Sequence, residues 1–87
     1  MKTRQVVVVP YDEGWEQDYS AIAAEISEVL GERAVAIEHV GSTAVPGLSA
    51  KPIIDIDVVI RHYAAFGAVV SALTLLLYKR VERLFRH

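Results

Sequence analysis

The chain has 87 residues, a formal net charge of −2 and no cysteine. That length allows one small domain with a single core, and the lack of thiols excludes disulfides and thiolate metal sites and fits a reducing compartment. A hydrophobic share of 53% against 23% charged residues excludes a disordered chain, and the near-neutral charge gives no general drive toward nucleic acid or an acidic membrane surface.

Lys2 and Arg4 precede four valines, Val6 to Val9. A secretory signal needs an apolar region of about 7–15 residues and a small-residue cleavage site. Pro10-Tyr11-Asp12-Glu13 cuts this one short, so the segment is predicted to be a strand ended by proline, in a cytoplasmic protein. A helix follows. Asp12 can cap it, with Glu13 and Glu16 in the first turn complementing the dipole. Trp15, Tyr19, Ile22, Ala23, Ile26, Val29 and Leu30 repeat at three and four, one apolar stripe, and Gly31 suits the residue after the helix. Trp15 and Tyr19 could stack a base, but the periodicity predicts that they pack the helix on a sheet.

Val35–Val40 reads as a strand closed by a Gly41-Ser42 turn, with the polar pair Glu38 and His39 just before it. The loop Thr43–Pro52 contains the turn signal Pro46-Gly47. No Gly-Lys-Ser/Thr occurs, so it is not a Walker loop. A second strand carries Ile54-Asp55-Ile56-Asp57-Val58. Side chains alternate along a strand, so Asp55 and Asp57 point to one side with alpha carbons roughly 6.6 Å apart, and the aliphatic residues enter a core. Two carboxylates so placed can converge on a hard cation, which takes oxygen ligands. Two neighbouring carboxylates also raise each other's proton affinity, a strain that a divalent ion relieves. The Gly-Ser turn offers backbone N–H groups and a hydroxyl suited to phosphate. Lys51 either contacts a polyphosphate or remains solvated, and a lone histidine such as His39 is more often structural than catalytic.

Hydrophobic-Gly-Ser, a short spacer, then Asp-hydrophobic-Asp resembles the signature of the nucleotidyltransferase superfamily with the polymerase-beta-like core. The fuller string EHVGSTAVPGLSAKPIIDIDVVI resembles the GrpB family, as does Pro10-Tyr11-Asp12 with Trp15 at the start of the first helix. The resemblance implies an α/β (α+β) fold, a mixed sheet with helices packed on one face. It implies Mg²⁺ or Mn²⁺ on Asp55 and Asp57 as metal-binding and catalytic groups, and a nucleoside triphosphate held by Gly41, Ser42, Thr43, Lys51 and His39. Transfer would go to an unknown acceptor. Members of the family are longer, so the chain resembles its N-terminal part, a single domain cut short. The superfamily adds a third carboxylate from a later strand, whereas Glu82 is the one acidic residue after Asp57. Two alternatives therefore stand beside catalysis: an inactive metal- or nucleotide-binding remnant, and a self-associating module. Some relatives resemble fusions to dephospho-coenzyme A kinase, whose phosphate loop is absent from this sequence.

Ala64–Tyr78 is almost wholly apolar, interrupted by Gly67, Ser71 and Thr74. A membrane span needs about 20 residues, so this run is predicted to be a core helix, with no membrane partner. Phe66, Val69, Val70, Leu73, Leu76 and Leu77 form one face, and Ala68 and Leu75 widen it, which predicts a homo-oligomer. Beyond it the signals diverge. Tyr78, Val81, Leu84 and Phe85 continue the helical spacing, while the resemblance ends the helix near Leu77 and starts a strand at Tyr78. The reading adopted is a short strand. Lys79, Arg80, Arg83 and Arg86 read as a solvated face. The expected order is β-α-β-β-α with a final strand.

Overall fold

The structure, a computed structural model, describes residues 7–85. Asp12 opens the first helix, α1 (Gly14–Leu30): its Oδ1 accepts from the Gly14 N–H at 2.7 Å and its carbonyl from the Trp15 N–H at 3.0 Å. A helix start leaves such donors without intrahelical partners, and the carboxylate supplies one. The apolar stripe faces inward as its spacing predicts, except at Val29, which is exposed. Trp15, Ile26 and Leu30 are buried and Ile22 packs beside them, while Glu16, Gln17, Asp18 and Glu28 are exposed. Gly31, at φ +54, returns its N–H to Ser27 O and begins a 3-10 turn, Gly31–Arg33.

Two strands follow, β1 (Ala34–Val40) and β2 (Asp55–Ile60), paired antiparallel with Val40 opposite Asp55, Glu38 opposite Asp57 and Ile37 opposite Val58. Exposure alternates along β2: Asp55, Asp57 and Val59 face water, while Ile56, Val58 and Ile60 pack with Ile37 onto Ile26, Leu30 and Val69. Period-2 patterning thus assigns one face to the core and leaves the other open. The expected α/β class holds, with both helices on one face of the sheet. Of the expected N-terminal strand, residues 1–6 lie outside the described residues. Val9 makes an isolated antiparallel bridge to Ala50, with N–H to carbonyl distances of 2.9 and 3.0 Å.

After a 3-10 turn at Tyr63–Ala65, α2 (Phe66–Phe85) runs straight through the segment predicted to be a strand. The helical spacing of Tyr78 and Val81 prevails there. No glycine stands at Leu77 to stop the helix, and Lys79, Arg80, Glu82 and Arg83 are all good helix formers. Tertiary pairing adds to this, because Glu25 of α1 receives Arg80 and, at 3.2 Å, Arg83. The helical stretch Tyr63–Arg83 has 21 residues and a mean hydropathy of 1.5, enough by length and composition to cross a bilayer. One side of it nevertheless packs on the domain through Val69, Ala72, Leu73 and Leu76.

The Arg80 hydrogen bond, with a smaller contribution from Arg83, holds the Glu25 carboxyl below its ordinary value against an opposing effect of desolvation. A carboxyl whose pKa is lower folded than unfolded stabilises the fold in full above the unfolded value, and that stabilisation is lost as pH falls through the folded one. Glu25→Gln is therefore expected to lower the melting temperature at neutral pH. Thermal unfolding followed by circular dichroism should show the two melting curves converging as the solution is acidified. A gap that persists in acid would place the effect of Glu25 somewhere other than this clamp.

Candidate functional site on the open face of the sheet

Val40 pairs with Asp55, and the chain then turns sharply at Gly41, where φ is +78. L-residues with a side chain avoid that region. The turn also brings the backbone against the acid: a Cβ at position 41 would lie 2.6 Å from Asp55 Oδ2 and 3.4 Å from Asp55 Cβ. Glycine here permits both the turn and the close approach of Asp55. The backbone continues into a 3-10 turn, Ser42–Ala44, closed by Ala44 N–H to Gly41 O at 3.1 Å.

The loop that follows is pinned at several points. Leu48 N–H reaches Val45 O at 3.2 Å across Pro46-Gly47, with Gly47 at φ +81, as glycine at the third turn position allows. Ala50 is buried and bridged to Val9. Ile53 N–H bonds Lys51 O at 2.7 Å, and Ile53 O accepts from the Thr43 hydroxyl at 2.9 Å. These restraints set Lys51 beside the start of β2, where Ser42, Lys51, Ile53 and Asp55 line one cleft. Four residues singled out from sequence, Gly41, Ser42, Lys51 and Asp55, thus meet at one end of the sheet.

His39 and Thr43 lie elsewhere. His39 occupies the covered side of β1, stacked on Tyr19 with centroids 4.7 Å apart and planes 11° from parallel. The Tyr19 hydroxyl donates to Ile37 O at 2.8 Å. Thr43, only 2% exposed, spends its single hydroxyl proton on Ile53 O, so at 3.0 Å its oxygen accepts from His39 Nε2, which carries the proton. Both residues line a separate cleft with Tyr11, Glu16, Tyr19 and Pro46. Their contacts tie β1, α1 and the loop together.

Asp57 shares the open face with Asp55 and has Glu38 directly across the ladder. Like charges in opposed positions destabilise a strand pair, and a cation between the strands would offset this. Sequence reading missed Glu38 as a neighbour, because a fourteen-residue connection, Gly41 to Ile54, leaves strand register unspecified. Among the described residues no three His, Cys, Asp or Glu side chains converge as a full ligand set. The donors present are hard oxygens suited to Mg²⁺ or Mn²⁺. As a two-carboxylate set they fit an ion that keeps most of its waters.

Residues 5–86 match the sequence profile described as GrpB protein. UPF0157 protein BH1888 of Halalkalibacterium halodurans is 49% identical over 59 residues, covering 68% of this chain and 30% of that protein. A dephospho-CoA kinase of Mycolicibacterium paratuberculosis is 34% identical over 92 residues, 97% of this chain and 23% of the relative. The crystal structure of conserved protein GrpB from Enterococcus faecalis superposes with a TM-score of 0.66 at 32% identity, over 90% of this chain and 42% of that one. The chain spans less than a third of the length of these curated relatives. Its sequence and its fold agree: the chain belongs to the GrpB family.

Proposed function

We propose that the open face of the sheet binds a nucleoside triphosphate through a divalent cation, Mg²⁺ or Mn²⁺, held by Asp55 and Asp57. The observation that carries this reading is the meeting of Ser42, Lys51 and Asp55 in one cleft beside the Gly41 turn. Asp55 and Asp57 are the ligands, on adjacent same-face positions of β2. The Ser42 hydroxyl donates to a phosphate oxygen and the Lys51 ammonium offsets phosphate charge. When bound, the cation supplies charge neutralisation and polarisation of the phosphoryl group. The cleft, about 230 Å³, falls below the usual range for a whole small-molecule site, which suits the phosphate end of a nucleotide rather than its base.

The pairing of Asp55 and Asp57 on one face of β2 supports binding as the function of this stretch. Nucleotidyl transfer to an acceptor remains the second reading, for the stretch working alongside further residues such as those of its longer relatives. Both readings place the protein in the cytoplasm, where Mg²⁺ and nucleoside triphosphates are available. Calorimetry with a nucleoside triphosphate, with and without Mg²⁺, is the test. Binding is expected only with the metal present, because Lys51 alone cannot offset a triphosphate. Tight binding without metal would point to a different site.

A further inference from the structure

One flank of α2 carries an apolar stripe that the domain core leaves exposed. Phe66, Val70, Leu77 and Val81 are all exposed. At about 100° per residue they fall within one narrow arc of the helix, flanking the side that packs on the domain through Val69, Ala72, Leu73 and Leu76. The exposed Tyr63 extends the stripe and stacks on Phe66, with centroids 6.1 Å apart and planes 7° from parallel. Between Phe66 and Val81 this arc holds no charged residue: Lys79, Arg80, Glu82 and Arg83 all lie outside it. The one hydroxyl at its centre, on Thr74, is already satisfied by donating to Val70 O at 2.7 Å, so covering it strands no donor.

The spacing of the stripe is symmetric. Phe66 and Val70 lie as far before the point between Leu73 and Thr74 as Val81 and Leu77 lie after it. We infer that α2 forms an antiparallel homodimer about a two-fold axis through that point, pairing Phe66 with the partner's Val81 and Val70 with the partner's Leu77. A two-fold contact requires a surface that complements itself, and a palindromic stripe meets that requirement. Charge favours the same direction. The helix dipoles oppose in this direction, and Lys79 meets the uncharged Phe66–Thr74 half of its copy instead of a second Lys79, while Arg80 and Arg83 stay paired with Glu25. The stripe is about 22 Å long, so the interface falls at the small end of specific contacts and the dimer is concentration-dependent.

Light scattering across a concentration series tests this, with two variants whose circular dichroism is checked first. Leu77 and Leu75 are 62% and 54% exposed on different sides of the same helix, so neither substitution opens the core. Leu77→Glu is expected to weaken association by about tenfold or more, since it buries an unpaired charge, and Leu75→Glu to leave it unchanged. The natural chain has no cysteine, which allows a direct check of register. Val70→Cys mixed with Leu77→Cys should form a disulfide that neither forms alone, because like positions sit about 10 Å apart along the axis, beyond disulfide reach. A natural chain that stays monomeric throughout, equal effects of the two glutamates, or efficient Val70→Cys self-linking would each overturn the inference. So would a monomer that sediments with phosphatidylcholine vesicles, which would assign the stripe to a bilayer.

Discussion

Thr43→Val is expected to destabilise the domain by about 1–3 kcal/mol while leaving its shape almost unchanged. Valine matches threonine in volume but removes the hydroxyl that joins His39 Nε2 to Ile53 O at 3.0 and 2.9 Å. Thr43 is buried, so the Ile53 carbonyl loses its partner and the imidazole N–H loses its acceptor, with water replacing part of the loss because Ile53 is exposed and His39 half-buried. An unsatisfied buried group costs about 1–3 kcal/mol, and in a domain of this size each kcal/mol shifts the melting temperature by about 4–8 °C. Urea unfolding measures the loss directly. A Thr43→Val protein as stable as the natural one, yet impaired in nucleotide binding, would return Thr43 to the ligand and contradict its assignment as a tie between loop and strand.

Gly41→Ala is the second large effect, and it acts on two properties at once. The backbone at φ +78 and ψ −169 lies in a region essentially confined to glycine and is disfavoured for alanine by roughly 1–3 kcal/mol. The new methyl group would also meet Asp55 Oδ2 at 2.6 Å, so the carboxylate must rotate away from its place beside the turn. Displacing a ligand through its neighbour reduces metal affinity by about 10–100-fold in comparable sites. Titration with Mn²⁺, read by electron paramagnetic resonance, should therefore show at least a tenfold loss in a protein that still folds. Unchanged affinity would mean that the position of the Asp55 carboxylate is irrelevant to the ion.

The legible parts of the sequence were those with a sharp period. The alternation in β2 specified which residues face water, because a strand has two faces and Ile56, Val58 and Ile60 all need the same one. The stripe of α1 and its Asp12 cap were equally plain. Residues 78–85 were not, because a family expectation of a strand was set against local helical spacing, and the spacing prevailed once Arg80 and Arg83 reached Glu25. His39 and Thr43 sit within a few residues of Gly41, but chain proximity says nothing about faces. A strand sends neighbours in opposite directions, and His39 went to the Tyr19 side. Glu38 was hidden for a related reason, since its place opposite Asp57 depends on a register that the long loop does not fix. Of the α2 stripe, Phe66, Val70 and Leu77 lay within the fifteen-residue apolar run and Val81 beyond it.

The most direct test of the proposed site is a Mn²⁺ titration of the natural protein against the Asp55→Asn/Asp57→Asn variant. Both carboxylates are exposed on the open face, so the double exchange should leave the circular dichroism spectrum intact. Weak, saturable binding is expected in the natural chain, because two carboxylates leave most of the coordination shell to water. Binding in the variant should fall by at least about tenfold. Equal Mn²⁺ affinity in the two proteins would contradict the assignment of Asp55 and Asp57 as the metal ligands, and the nucleotide-binding reading that depends on them.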